Sequence, residues 1–328
     1  MISFWVSVLA LSILLYVLLD GFDLGVGMLS GFTHGEPERH AMLSSVSPVW
    51  DGNETWLVVA GVVLWGAFPV VYATLFSAFY LPVLVMLAGL ILRGVSFEYR
   101  YKTERLRWLW DASFAGGSLV AAFSQGLMVG ALVEGLPIAN GEYTGGELGW
   151  LTPFGLICGV GLCLGYSLLG ACWLVRKCEA DVRDRAYSLI PYLSIALVVF
   201  LIAVFAYALA EDLRIINRWL ERPYLFFFPI IGAAAAIVLA ISVRQRHDEA
   251  PFYMVSLIFA AAFGTLAISF WPYMIPFSIT IEDAAAPHSS LAFMFWGEGL
   301  FVLPLMLVYT VVSYSVFRGK VRPSTEHY

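Results

Sequence analysis

Residues Ile2–Leu29 read ISFWVSVLALSILLYVLLDGFDLGVGML. From Ile2 to Leu19 no side chain is charged. A run of about 20 mostly apolar residues is what a helix needs to cross the hydrocarbon core of a bilayer. Lipid offers backbone N–H and C=O groups no partners, so a segment of this kind satisfies them internally, as a helix. The end of the run breaks the pattern: Asp20 and Asp23 stand three residues apart among Gly21, Gly25 and Gly27. No Lys or Arg precedes the run and no small-residue cleavage site closes it, so it reads as a retained helix rather than a signal peptide.

The rest of the chain repeats the apolar pattern. Of 328 residues, 60% are hydrophobic and 13% charged, where a soluble domain carries about a quarter charged. The 16% of aromatic residues suit belts at two membrane interfaces. Apolar runs lie at about 3–28, 53–72, 76–96, 113–134, 153–175, 187–210, 224–243, 253–274 and 290–317. The expected fold class is therefore an all-α polytopic membrane protein with nine transmembrane helices in a single integral membrane domain over residues 1–328. The net charge of −6 sits in loops and at helix ends, and no contiguous basic patch points to nucleic acid.

Lysine and arginine set the expected orientation. Fifteen of the 18 fall in the odd-to-even loops and the C-terminal tail, and only Arg214, Arg218 and Arg222 lie on the opposite side. The positive-inside rule then puts the N-terminus outside and the C-terminus in the cytoplasm. Asp20 and Asp23 move to the cytoplasmic third of the first helix. Asp51 and Glu54 in SPVWDGNETWLV, Glu98 in LRGVSFEYRYK beside Arg93, and Asp111 in WLWDASF fall at the same end of the neighbouring helices. Six acids are thus expected to gather at the cytoplasmic end of one half of the protein.

Two readings of these acids stay open on the residues alone. Asp20 and Asp23, at i and i+3, share a helix face beside a crevice left by the glycines, where carboxyl groups could pass protons. Alternatively they pair with Arg93 or cap a neighbour at the interface. Asp51 and Glu54 have the outline of a capping box. Glu298 in FMFWGEGLF lies well inside the last run, between Gly297 and Gly299, and is expected to face protein or water. Trp50 is either a belt aromatic or part of an electron or proton path.

Metal chemistry has little support. Cys158, Cys163, Cys172 and Cys178 show no C-x-x-C spacing. His34, His40, His247, His288 and His327 all fall outside the apolar runs, whereas a haem held in the membrane usually takes an axial ligand from a span. No redox metal is expected on this chain.

The motifs DGFDLGVGML, PVWDGNETWL, FPVVYATLFSAFYLP and LRGVSFEYR, with SFWPYMIPFSITIEDAAAP near the end, come in the order and spacing seen in subunit II of the cytochrome bd-type ubiquinol oxidases, and the chain resembles that family. The middle, about 113–250, resembles it mainly in hydropathy and in TPFGLICGV. The short chain suits the family's cyanide-insensitive branch. The resemblance implies two four-helix bundles plus one peripheral helix, in the bacterial inner membrane. It implies a homologous haem-bearing subunit I as partner, with two b-type haems, haem d and the quinol-oxidising loop on that partner. The connection after the sixth run, about 13 residues, is too short to be such a loop. A small single-span accessory subunit, membrane lipids and a structural quinone are further partners the resemblance allows. It implicates Asp20, Asp23, Trp50, Asp51 and Glu98 in a cytoplasmic proton route; Glu54, Arg93, Asp111 and Glu298 are weaker candidates on their own placement in the sequence. Glu98 stands where many relatives have Asp. A cation or proton-coupled transporter or channel subunit is the rival from another class, and a purely structural subunit is a third reading. A transporter would place its site near the midplane of two related halves, whereas these acids are skewed to one end of one half.

Overall fold

The computed structural model describes residues 1–103, 105–139 and 142–321. Helix α1 runs over Ile2–Ser30 and continues unbroken through both aspartates and their glycines. Then come α2 (Glu36–Val46), α3 (Trp50–Ala67), α4 (Pro69–Ala78), α5 (Tyr80–Arg100) and α6 (Arg107–Glu134). A two-stranded antiparallel hairpin, β1 (Ile138–Ala139) with β2 (Glu142–Tyr143), leads to α7 (Pro153–Lys177). Helices α8 (Ala180–Ala210), α9 (Arg214–Glu221), α10 (Phe227–Arg244) and α11 (Ala250–Phe270) follow. A second hairpin, β3 (Tyr273–Ile275) with β4 (Ile279–Thr280), precedes α12 (Ile281–Ala284). The last span is α13 (His288–Met294), a π-helical stretch Phe295–Val302, and α14 (Leu303–Val316).

Among the described residues, eight helices are long and apolar enough to cross a membrane, and α3 with α4 forms a ninth, bent candidate. The run expected as one span at 53–72 is not straight. It breaks at Phe68, and α4 leaves α3 at 119°. Pro69 has no N–H to offer, and its ring clashes with the carbonyl four residues back, so a helix cannot run through it undisturbed. The run expected at 253–274 stops at Phe270, and its last residues enter the β3–β4 hairpin. Local chemistry fixes other ends: the Thr152 hydroxyl accepts from Gly155 N–H at 2.9 Å, and Pro153 follows at the first helical position of α7.

The core gathers around α1, which packs on α3, α6 and α7. At the α1–α7 crossing two glycines meet. A Cβ at Gly170 would lie 2.5 Å from the carbonyl carbon of Gly25, so neither position has room for a side chain. Without a hydrophobic drive between helices in lipid, such backbone-to-backbone packing is what holds them together. The core on the side of the aspartates joins Phe22, Val26, Leu43, Phe114 and Trp173, with Phe22 stacked on Trp173 at 4.0 Å between ring centroids. By contrast, α14 buries none of its residues. Its Val308 and Val311, like Ile195 and Ile202 of α8, present an apolar outer surface of the kind that lipid or another membrane subunit covers.

Candidate functional site

The site is built where α1, α3 and α5 meet. Asp20 and Asp23 lie on one face of α1 and are 0% and 1% exposed. Arg93 of α5 is also 0% exposed, and its guanidinium forks between two helices. Nη1 donates to Asp20 Oδ1 at 2.6 Å and Nη2 to Glu54 Oε2 of α3 at 2.8 Å. A planar guanidinium suits this task better than an ammonium, because its donors leave in fixed, separate directions. Arg93 reaches this depth because α5 and α6 touch one turn away: a Cβ on Gly89 would be 2.8 Å from the carbonyl oxygen of Gly117.

Asp23 has no such cation of its own. Its Oδ2 accepts from Asn53 Nδ2 at 2.7 Å, and among the described residues its Oδ1 has no hydrogen-bond partner. The same Asn53 amide donates to Leu19 O at 3.2 Å, and its oxygen accepts from the Tyr314 hydroxyl at 2.9 Å. On the other side of Asp20, Tyr16 lies one turn back on α1, its hydroxyl beside the Asp20 carboxylate. That hydroxyl accepts from Gln125 Nε2 at 2.7 Å, and Tyr166 donates to Gln125 Oε1 at 3.0 Å. Two polar chains thus meet on α1: one from Glu54 and Arg93 through Asp20 and Tyr16 to Gln125 and Tyr166, the other from Asp23 through Asn53 to Tyr314.

The six acids expected together separate. Asp20, Asp23 and Glu54 share the neighbourhood of Arg93. Asp111 belongs to a second, more superficial network: it accepts from Arg100 Nε at 2.6 Å and from Arg39 at 2.9 Å, while Arg100 also reaches Glu36 at 2.8 Å. Glu98 points away, 70% exposed and paired with Lys102 at 3.1 Å. Asp51 is exposed, and its side chain makes no ion pair among the described residues. The capping-box outline at Asp51 and Glu54 is not realised. The N-terminus of α3 has no side-chain cap, and Glu54 is engaged by Arg93 instead. Trp50 stacks on Phe97 with ring centroids 5.0 Å apart. Glu298 sits half-buried in the π-helical stretch.

Asn53, Tyr314, Tyr16, Gln125 and Tyr166 were missed by sequence reasoning. Gln125 was signalled by its place in the middle of an apolar run, and Tyr16 by its position four residues before Asp20 on the same face. Nothing local marks Tyr314, which is 261 residues from its partner Asn53.

Two carboxylates pair with one buried guanidinium, and a third, Asp23, is buried nearby on the face of α1 that carries Asp20, without a cation of its own. Fully ionised, the group would bury uncompensated charge, at several kcal/mol per ion. A carboxyl-rich cluster of this kind is equipped to hold a proton and exchange it, because taking one up relieves the excess. Metal binding has no comparable support: among the described residues, no group of three or more His, Cys, Asp or Glu could hold an ion. Among the described residues no histidine is placed to hold a haem inside the membrane: His34 and His247 are exposed outside the spans, His40 packs edge-on to Tyr101 in α2, and His288 is exposed at the first position of the last span.

Fold and site define a polytopic helical membrane protein with a buried ionic cluster rich in carboxyl groups. The sequence family described as cytochrome bd terminal oxidase subunit II matches residues 1–317, and the chain belongs to that family. It is similar to cytochrome bd-I ubiquinol oxidase subunit 2 of Escherichia coli strain K12, 31% identical over 97% of this chain and 94% of that one. It is also similar to cytochrome bd ubiquinol oxidase subunit 2 of Bacillus subtilis strain 168, 28% identical over 97% of this chain and 96% of the relative. Among solved structures, the bd oxidase of Geobacillus thermodenitrificans shares the fold. The match has a TM-score of 0.79 at 17% identity, and covers 97% of this chain and 99% of that one.

Proposed function

We propose that the chain works as the haem-free second subunit of a terminal oxidase, and that its buried cluster carries protons inward from the cytoplasm. The complex is a quinol:O2 oxidoreductase, in keeping with the relatives named as ubiquinol oxidase subunits. In it, quinol supplies electrons and O2 is reduced to water. The haems would reside in a homologous subunit I, where they supply the oxygen chemistry. A bacterial inner membrane, two four-helix bundles with α14 as the peripheral helix, and a cytoplasmic C-terminus complete the proposal.

One observation carries the proton role: Asp20 and Glu54 pair with the buried Arg93, while Asp23, buried on the same face of α1, is held only by Asn53. Consuming protons from one side of the membrane separates charge only if they reach the haems through the protein. In this arrangement Arg93 holds Asp20 and Glu54 in place while the more weakly held carboxyl exchanges its proton. Asp51, exposed on α3 beside Trp50, and Glu98, exposed at the end of α5, would form the outer end of the route or its border with subunit I. The route's midplane rival, a cation transporter, lacks support from the family.

Purified complex carrying Asp20→Asn or Asp51→Asn should consume oxygen and take up protons more slowly, with haem content intact. Wild-type turnover and proton uptake in both variants would leave only a structural role for these acids.

A further inference from the structure

We propose that Asn53 and Tyr314 are positioning residues for the proton at Asp23, holding the carboxyl by Oδ2 so that Oδ1 is the oxygen that gains and loses it. This rests on the proton role proposed above and deepens it. The orientation of the Asn53 amide is set by its surroundings. Leu19 O is an obligate acceptor, so the NH2 group must face it at 3.2 Å. The same NH2 then donates to Asp23 Oδ2 at 2.7 Å, and the amide oxygen is left to accept from Tyr314 at 2.9 Å. All three partners are satisfied only in this orientation. Asn53 is 1% exposed, so no bulk water competes for its groups.

Asp23 is therefore gripped from one side. Its Oδ2 already accepts an N–H whether the carboxyl is neutral or ionised. Oδ1, buried and without a partner among the described residues, is the open position for O–H formation. The step itself is simple and balanced: Oδ1 accepts a proton from a donor on the cytoplasmic side and later releases it to the next acceptor, with no change in electron count. Asn53 and Tyr314 keep their own protons throughout.

Tyr314 ties this grip to the surface. Its ring lines a cavity of about 240 Å³ between Ser45, Val49, Trp173, Lys177 and the tail residues from Val316 to Val321. Tyr314, a lining residue of the cavity, is thus linked to Asp23 through a single amide. Without the Tyr314 hydroxyl, Asn53 Oδ1 loses its donor. Leu19 O still requires the NH2 group, so the amide keeps its orientation but is no longer braced from its oxygen side. Its hydrogen bond to Asp23 Oδ2 loosens, and with it the fixed environment of the proton on Oδ1.

The test uses the complete purified oxidase complex carrying Tyr314→Phe, with Asn53→Leu as a second variant of similar size. Redox-triggered infrared difference spectra read the C=O stretch of a protonated carboxyl, assigned as the band that Asp23→Asn removes. Tyr314→Phe should shift that band and change the shape of the pH–rate profile, while turnover falls about 2- to 10-fold, the rate equivalent of one hydrogen bond. Asn53→Leu should shift the band as well. An unshifted band and a profile of wild-type shape in haem-replete Tyr314→Phe complex overturn the positioning role. If Asp23→Asn removes no band from the wild-type spectrum, the proton role of Asp23 fails first, a separate result. Should Asn53→Leu not assemble, Tyr314→Phe decides alone, because losing one hydroxyl leaves the ring packing against Trp173 in place.

Discussion

Arg93 is the residue on which most else at the site depends. It holds Asp20 and Glu54 with separate ends of one guanidinium, and it is fully buried. Removing one partner of a buried pair leaves the other charge uncompensated, at a cost of about 3–5 kcal/mol. Arg93→Met should therefore lower the yield of haem-replete complex and its thermal midpoint sharply. Arg93→Lys should fall between, since an ammonium is a compact charge that cannot bridge both carboxylates. Glu54→Gln should be mildest, because Glu54 keeps 28% exposure and can be hydrated. A melting series on the three complexes gives the order, and equal midpoints for Arg93→Met and wild type would refute it. At this scale the sequence showed which ions were present and little about who holds them. Asp20, Asp23 and Arg93 stand out because charge is costly in an apolar run. Their division of labour does not, because it depends on Asn53 and Tyr314, whose contact exists only after α3 and α14 have packed. Asp51 and Glu98 belong to the same motifs as the buried acids, yet a motif does not say which helix face turns outward.

Elements were legible wherever apolar length alone decides them, and least so at their ends. α5 continues to Arg100 and α6 begins at Arg107, beyond the apolar runs, because Glu36 of α2 pairs with both arginines and Asp111 pairs with Arg100. The break at Phe68 had a visible cause in Pro69. Its 119° turn did not, since the angle follows from what α4 packs against. The glycines of the opening stretch read as room for a neighbour, and that neighbour is α7. A side chain at Gly170 would press on Gly25 and Val26 backbone at 2.5 Å. Backbone cannot yield as a side-chain tip does, so Gly170→Val should cost more than the usual 1–3 kcal/mol of overpacking. It should abolish accumulation of the subunit, whereas Gly116→Val, where a Cβ meets nothing within 4 Å, should accumulate normally. Quantitative immunoblotting of membranes distinguishes the two, and comparable amounts of both would remove the case for a tight α1–α7 crossing.

For the molecule as a whole, distant segments are drawn together at the end where the cavity opens. Lys177, closing α7, donates to the carbonyls of Phe317 at 2.6 Å and Gly319 at 3.2 Å, and Val321 N–H returns to Lys177 O at 2.8 Å. Beyond them Lys320 meets Asp248, between α10 and α11, at 2.5 Å, and Tyr187 donates to the same carboxylate at 3.0 Å. Burial would by itself raise the Asp248 carboxyl. The hydrogen bonds from Lys320 and Tyr187, with the charges of Lys320 and Arg183, outweigh it and hold the group below the usual carboxylate range. A depressed value in the docked state means that docking is favoured above the free carboxylate's pKa, about 3.9, and is lost as the pH falls through the lowered one. Tail docking should therefore be insensitive to pH between about 5 and 8 and weaken only in stronger acid. Asp248→Asn should release the tail at neutral pH by removing the charge that Lys320 seeks. Because the tail residues from Val316 to Val321 form one wall of the cavity beside Tyr314, release should also widen the approach to that hydroxyl. Hydrogen exchange over residues 317–321 in the intact complex is the direct measurement. Faster exchange in Asp248→Asn at pH 7, with wild-type exchange unchanged from pH 5 to 8, is the expected pair of results. Equal protection in variant and wild type would mean that the Lys177 contacts dock the tail without Asp248.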